Sequence, residues 1–189
     1  MSHQEQIERI WDEHVHVAKA LHSLAPDVEQ VVRLIARAMA GGGSLLVCGN
    51  GGSAADAQHI AAELTGRFFR DRKPLPALAL HGNTSSLTAI ANDYGYDEVF
   101  AREVGAHGRE GDVLLAISTS GNSANVLRAI QAARGKRMVV VGLTGADGGK
   151  MRDLCDVVLR VPCDSTPRIQ ECHILIGHTI CELLEQILC

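Results

Sequence analysis

No apolar run in the sequence is long enough to span a bilayer. The first residues, MSHQEQIERI, are polar and charged, and they lack the apolar stretch that a secretory signal carries. These two absences argue against a membrane partner and place the expected compartment in the cytoplasm. No block of like charge occurs either, and the net charge is −4. That disfavours a protein that grips nucleic acid through a basic face. It leaves an anionic small ligand open, because backbone N–H groups bind anions without any net positive charge. None of the six cysteines, Cys48, Cys155, Cys163, Cys172, Cys181 and Cys189, forms a C-x-x-C pair. Reduced, mostly buried thiols are therefore expected, and neither a disulfide framework nor a cysteine metal site.

What is present is a well-packed composition. Apolar residues make up 46% of 189, which excludes a disordered chain and fits one domain over 1–189. Residues 4–24 and 27–40 read as helices, with Pro26 and Asp27 in the first turn of the second and Gly41, Gly42 and Gly43 ending it. This N-terminal helical region, 1–40, reads as an appendage used for assembly. The rest, 41–189, alternates. Strands are expected at 44–48, 76–80, 112–117, 137–142 and 156–161, and helices at 53–66, 84–91, 97–106, 123–134 and 167–188. That order predicts βαβ units and a five-stranded parallel sheet flanked by helices. The runs LLAIS and MVVVGL are apolar on both faces, as a sheet covered on both sides requires.

Two stretches echo each other. SLLVCGNGGSAADA and VLLAISTSGNSANV each read as strand, short Gly/Ser/Asn loop, helix. In a parallel sheet both loops lie at the carboxyl edge, where open α/β sheets bind ligands. The second loop offers the hydroxyls of Ser118, Thr119, Ser120 and Ser123 around Gly121 and opens a helix. Hydroxyls, free N–H groups and the helix dipole together suit a phosphate. The chain lacks both G-x-x-x-x-G-K-[ST] and G-x-G-x-x-G, so neither a nucleotide P-loop nor a dinucleotide site is indicated. Taken alone, the loop also fits an ordinary turn in which Ser123 merely caps a helix.

Candidate reactive groups lie elsewhere. His59 and Glu63, in HIAAE, are four residues apart on one helical face. Gln170 and His178, in QECHILIGH, lie just over two turns apart on an apolar-rich helix. Each has a bland alternative: a surface His–Glu hydrogen bond, or a histidine satisfied in a core or interface. If the two helices converge, they bring together two imidazoles, a carboxylate and an amide oxygen. Such a set can move protons or bind a divalent metal such as zinc.

In these residues the chain resembles the bacterial phosphoheptose isomerases of the sugar isomerase (SIS) domain superfamily. The resemblance runs through CGNGGSAADAQHIAAELTGRF, AIANDYGYDEVF, GREGDVLLAISTSGNSANVLRAI, LTGADGGKM and RIQECHILIGH, almost the whole chain. It implies a doubly wound SIS-type sheet, with N-terminal helices packed in a homotetramer. It implies isomerisation of sedoheptulose 7-phosphate to D-glycero-D-manno-heptose 7-phosphate, the first step of a heptose precursor route. Carried over by position, Asn50, Gly51, Gly52 and Ser53 would line the sugar phosphate pocket. Asn92 and Asp93 would contact sugar hydroxyls, and Ser118, Thr119, Ser120 and Ser123 would hold the phosphate. Glu63 and His178 would be the acid/base pair, with Glu63 and Gln170 also touching substrate. His59, Glu63, Gln170 and His178 would hold one zinc per subunit. Two alternatives accompany this reading. One is an SIS isomerase for another phosphosugar. The other is a non-catalytic SIS adaptor that binds the replication initiator. That branch lacks the carboxylate and the second histidine, which this chain has as Glu63 and His178.

Overall fold

The computed structural model describes all residues, 1–189. Helix α1 (His3–Ala20) opens on a capping box, with Ser2 accepting from the Glu5 N–H and the Glu5 carboxylate accepting from Ser2. The helix expected over 4–24 stops at Ala20, and Leu21–Leu24 tighten into a 3₁₀ turn. Helix α2 (Ala25–Ala40) carries Pro26 and Asp27 in its first turn, as expected, and ends at Gly41. There follow β1 (Leu45–Gly49), α3 (Gly52–Thr65), β2 (Ala77–Ala79), α4 (Thr84–Tyr94), α5 (Val99–His107), β3 (Val113–Ile117), α6 (Ala124–Gly135), β4 (Val139–Thr144), β5 (Val157–Arg160) and α7 (Thr166–Leu188).

The five strands form one parallel sheet in the order β2-β1-β3-β4-β5. Strand order reverses between β1 and β3, so the loops that leave these two strands flank the crevice where doubly wound sheets bind ligands. The residues of each strand alternate between two cores. Leu45, Val47, Leu115, Ile117, Val141 and Leu143 pack under α2, α3 and α7. Leu46, Cys48, Leu114, Ala116 and Val140 pack under α5 and α6. Burial on both faces is why β1 and β3 read as unbroken apolar runs.

All five strands are found within two residues of the expected ends, and the shifts of β4 and β2 have identifiable causes. Strand β4 begins at Val139, not 137, because Arg137 takes a left-handed φ of 57° and closes a turn after α6. Edge strand β2 shortens to three residues, following Pro74 and Pro76. All six cysteines are unpaired, and Cys48, Cys172 and Cys181 are buried. Desolvation pushes the Cys48 and Cys181 thiols up to about 12, so both are protonated at neutral pH.

Candidate active site

The loop after β3 is braced by the segment after β4. Gly121 has φ 65°, and a Cβ there would fall 2.1 Å from the Gly148 carbonyl oxygen, so no other residue fits. The Gly145 N–H donates to the Thr119 carbonyl at 2.9 Å, and the Met151 N–H donates to that of Gly121 at 3.1 Å. Inside this frame Ser118 Oγ lies 2.9 Å from Ser123 Oγ and 3.4 Å from Ser120 Oγ. Ser123 occupies the N-cap position of α6, yet its hydroxyl makes no capping bond to the helix. The first-turn N–H groups of α6 and a cluster of three hydroxyls therefore lie together at one helix N-terminus. This is the local chemistry of a phosphate site.

The loop after β1 is tied across the crevice. Asn50 Nδ2 donates to Asn125 Oδ1 at 2.8 Å, and Asn125 Nδ2 donates back to Asn50 Oδ1 at 2.9 Å. The Tyr96 hydroxyl donates to the same Asn50 oxygen at 3.0 Å. Asn125 is buried, and its oxygen also accepts the Val126 N–H. Neither Asn125 nor Tyr96 stands out in sequence, since Asn125 is one polar residue in a helical pattern and its partner is 75 positions away. Asn92 Nδ2 donates to Asp93 Oδ1 at 2.8 Å on exposed ground at the end of α4. Ser53 is buried in the first turn of α3, whereas Gly51 and Gly52 are exposed.

Helix α3 buries Ala57, Ile60, Ala61 and Leu64 against the sheet and α7. Full burial of Ile60 and Leu64 contributes on the order of 1.5–3 kcal/mol each. The same periodicity leaves His59 and Glu63 on the adjoining side. Helix α7 approaches closely because Gly177 faces Ile60; a Cβ there would fall 2.7 Å from Ile60 Cδ1. The approach brings His178 to His59. Their Nε2 atoms are 3.4 Å apart, and their rings meet edge-on with centroids 4.9 Å apart. His59 Nε2 is 2.9 Å from Glu63 Oε1. The three ligand atoms all lie within 4.8 Å of one another. Phe68 packs on His178 from outside, with ring centroids 5.6 Å apart.

Gln170 stands apart from this group. A Cβ on Gly52 would fall 2.7 Å from Gln170 Nε2, which places that amide over the first turn of α3. Helices α3 and α7 thus run side by side in the same direction, Gln170 against Gly52 and His178 against His59. Eight residues separate Gln170 from His178, a rise of about 12 Å. Within one chain the structure joins His59, Glu63 and His178 and leaves Gln170 at the loop end.

Three further titratable groups lie on these and neighbouring elements. Asp56 lies one turn before His59, and burial pushes its carboxyl up to about 6 although His59 pulls the other way. His81, after β2, is depressed by burial, partly offset by the backbone of Ala54. His173 is fully buried on α7, with Nε2 3.2 Å from the Thr144 carbonyl oxygen, and desolvation lowers it to about 4. It is a core histidine, as its apolar helix face suggests.

The single N–H of His59 Nε2 cannot serve two neighbours well. If it donates to Glu63, the lone pair of His178 Nε2 has no proton to meet. If His178 donates to it, a bare nitrogen faces a carboxylate. A cation that accepts all three lone pairs resolves the conflict. Ligands around a tetrahedral zinc bound at about 2.0–2.1 Å lie about 3.3 Å from each other; His59 stands near that separation from both Glu63 and His178, and the whole group lies within 4.8 Å.

The family model described as the SIS domain matches residues 12–145. A phosphoheptose isomerase of Rhodospirillum rubrum is 57% identical over 169 residues, covering 89% of this chain and 90% of its own length. One of Helicobacter pylori strain P12 is 55% identical over 168 residues, covering 89% and 88%. The solved structure of the phosphoheptose isomerase of Neisseria gonorrhoeae superposes with a TM-score of 0.93 at 46% identity, over 98% of this chain and 100% of that one.

Proposed function

The chain belongs to the SIS-domain phosphoheptose isomerases, and on that premise we propose how its own residues carry the reaction. The enzyme isomerises sedoheptulose 7-phosphate to D-glycero-D-manno-heptose 7-phosphate. The difficult step removes a proton from the carbon beside a carbonyl. The observation that carries our assignment is the convergence of Glu63, His59 and His178 at one point between α3 and α7.

Glu63 takes the proton from C1 of the ketose and returns it to C2, through an enediolate. A carboxylate suits this work because it can accept and release one proton at fixed geometry. His178 donates a proton to the carbonyl oxygen as charge develops there, and takes one from the neighbouring hydroxyl. The hydroxyl loop Ser118, Thr119, Ser120 and Ser123 anchors the phosphate, with Asn50, Gly51, Gly52 and Ser53 across the crevice. Gln170, Asn92 and Asp93 hold sugar hydroxyls. Anchoring the remote end orients C1 and C2 against the base.

His59, Glu63, Gln170 and His178 would hold a zinc ion; a lone pair that Glu63 or His178 gives to the metal is not free for proton transfer, so each serves as base or acid only when released from it. Bound there, zinc would act as a Lewis acid toward substrate oxygens.

Assembly is part of the same proposal. We place the hydroxyl loop of one subunit opposite the His59, Glu63 and His178 group of another. Helix α1 supplies an adhesive face for such an assembly: Ile7, Ile10, Trp11 and Val15 recur at helical spacing and are exposed in the isolated chain, Trp11 by 66%. A homotetramer, with residues 1–40 as assembly region and 41–189 as α/β core, is the form proposed. No helix is long and apolar enough to cross a membrane, and the unpaired thiols suit the reducing cytoplasm.

The test is incubation of the purified protein with sedoheptulose 7-phosphate, followed by proton NMR. An anomeric signal of an aldose heptose phosphate supports the assignment. Its absence, with folded protein and supplied zinc, rejects it. Turnover of a different phosphosugar would redirect it to another substrate.

A further inference from the structure

A buried ion pair outside the substrate pocket grips the backbone of the proposed base. Arg72 and Glu185 have side chains only 3% and 2% exposed. Arg72 Nε donates to Glu185 Oε1 at 3.1 Å. Its Nη2 donates at 2.9 Å to the carbonyl oxygen of Glu63 itself. Its Nη1 lies 2.7 Å from the carbonyl oxygen of Leu64 and 3.2 Å from those of Gly66 and Lys73. The guanidinium thus closes the C-terminal turn of α3, where free carbonyls and the negative end of the dipole favour a cation.

Glu185 holds the other half. Its carboxylate accepts the N–H groups of Phe68, Phe69 and Arg70 at 3.1, 2.9 and 2.9 Å. Burial alone would raise its pKa, but these donors and Arg72 outweigh that and hold it below the ordinary carboxylate range. Glu185 lies seven residues beyond His178 on α7, on the same side of the helix. Phe68, fixed through its own N–H by Glu185, is the ring that backs His178. One ion pair therefore joins three parts: the backbone of Glu63, the helix that carries His178, and the wall behind His178.

We propose that Arg72 and Glu185 are positioning residues of the isomerase site, setting Glu63 and His59 against His178. The inference rests on the isomerase reading of that site. A buried pair is poor value as pure stabilisation, since well-packed apolar side chains often serve as well. What an apolar replacement cannot do is satisfy the Glu63 and Leu64 carbonyls and three loop N–H groups in one fixed geometry.

The variants are Arg72→Lys, which keeps the charge but loses the planar fork, and Glu185→Gln, which keeps the shape. Each is purified as the assembled protein and assayed well below its own melting temperature. The expected result is kcat lowered about 10- to 100-fold with KM for sedoheptulose 7-phosphate within about threefold, as for other residues that orient ligands from behind. Zinc affinity, read by competition with a chromogenic chelator, falls by a similar factor. A merely structural pair would lower the melting temperature and leave both quantities, per folded subunit, within about twofold of wild type; that result overturns the proposal. If a variant does not fold, the other carries the test. If neither folds, Glu185→Asp, which keeps the charge and withdraws the carboxylate from the loop, replaces them under the same criteria. Should wild type bind zinc yet turn over no heptulose phosphate, the isomerase reading fails, and unchanged zinc affinity in the variants would then overturn the positioning role separately. Absence of both zinc binding and turnover in wild type overturns both.

Discussion

His59 and His178 meet Nε2 to Nε2 at 3.4 Å, with Glu63 Oε1 2.9 Å from the first. Two imidazoles with nitrogens turned toward each other form a poor hydrogen bond and a good metal edge. The purified protein should therefore carry about one zinc per subunit, and His178→Ala should weaken its retention by at least about 100-fold. Metal analysis and chelator competition measure this. Equal zinc affinity in wild type and His178→Ala would show that the pair has no ligand role.

The hydroxyl loop has a separable task. Ser120→Ala removes one donor from the phosphate cluster and leaves the Glu63 group untouched. We expect KM to rise about tenfold with kcat nearly kept, since removing one hydrogen bond to a charged group costs about 1.5 kcal/mol. Steady-state kinetics decide it. A fall in kcat with unchanged KM would mean that this loop does not anchor the phosphate.

That loop was legible in the sequence, and the reasons are physical. The apolar runs of β1 and β3 cannot be exposed on either face, so both strands had to be central, and their Gly/Ser loops had to share the carboxyl edge. His59 with Glu63 was legible because both lie on one helix. The meeting of His178 with His59 was only a conditional expectation, because it depends on how closely two helices pack across 119 positions. Gly177, the residue that permits the contact, carries no visible signal. Arg72 was missed for a similar reason. In RFFRDRKP it reads as one more surface charge, and its partner is 113 positions away. Gln170 was placed on the correct helix, but its eight-residue offset from His178 already implied a separation of about 12 Å within one chain.

Shared sites predict complementation. A subunit with Glu63→Gln lacks the base, and one with Ser118→Ala, Ser120→Ala and Ser123→Ala lacks the phosphate loop. If each site draws these parts from different subunits, co-assembly restores intact sites, roughly a quarter of them by random pairing. Activity at low substrate should then exceed the mean of the two parents. Activity equal to that mean would place the whole site within one chain.

Against the opposite pull of Asp56, whose carboxyl is raised to about 6, stability should carry an acid-sensitive contribution from His173. Its folded pKa of about 4 lies below the ordinary 6.5. Between those values this histidine binds more protons in the unfolded chain than in the folded one, so its contribution rises with pH across the window. It is fully present above about pH 6.5 and lost as pH falls toward 4, by on the order of 3 kcal/mol. His173→Gln keeps a donor for the Thr144 carbonyl without the titration. Melting temperatures recorded from pH 4 to 7.5 should slope less for this variant than for wild type, and parallel curves would assign the acid sensitivity elsewhere.

The most direct test of the whole account is proton exchange at carbon in D2O, followed by NMR for wild type and Glu63→Gln with sedoheptulose 7-phosphate. The account predicts that wild type forms the aldose with deuterium at C2, and that Glu63→Gln does so about 10²- to 10⁴-fold more slowly while still binding the sugar phosphate. Deuterium incorporation at the wild-type rate in Glu63→Gln would contradict the assignment of Glu63 as the base.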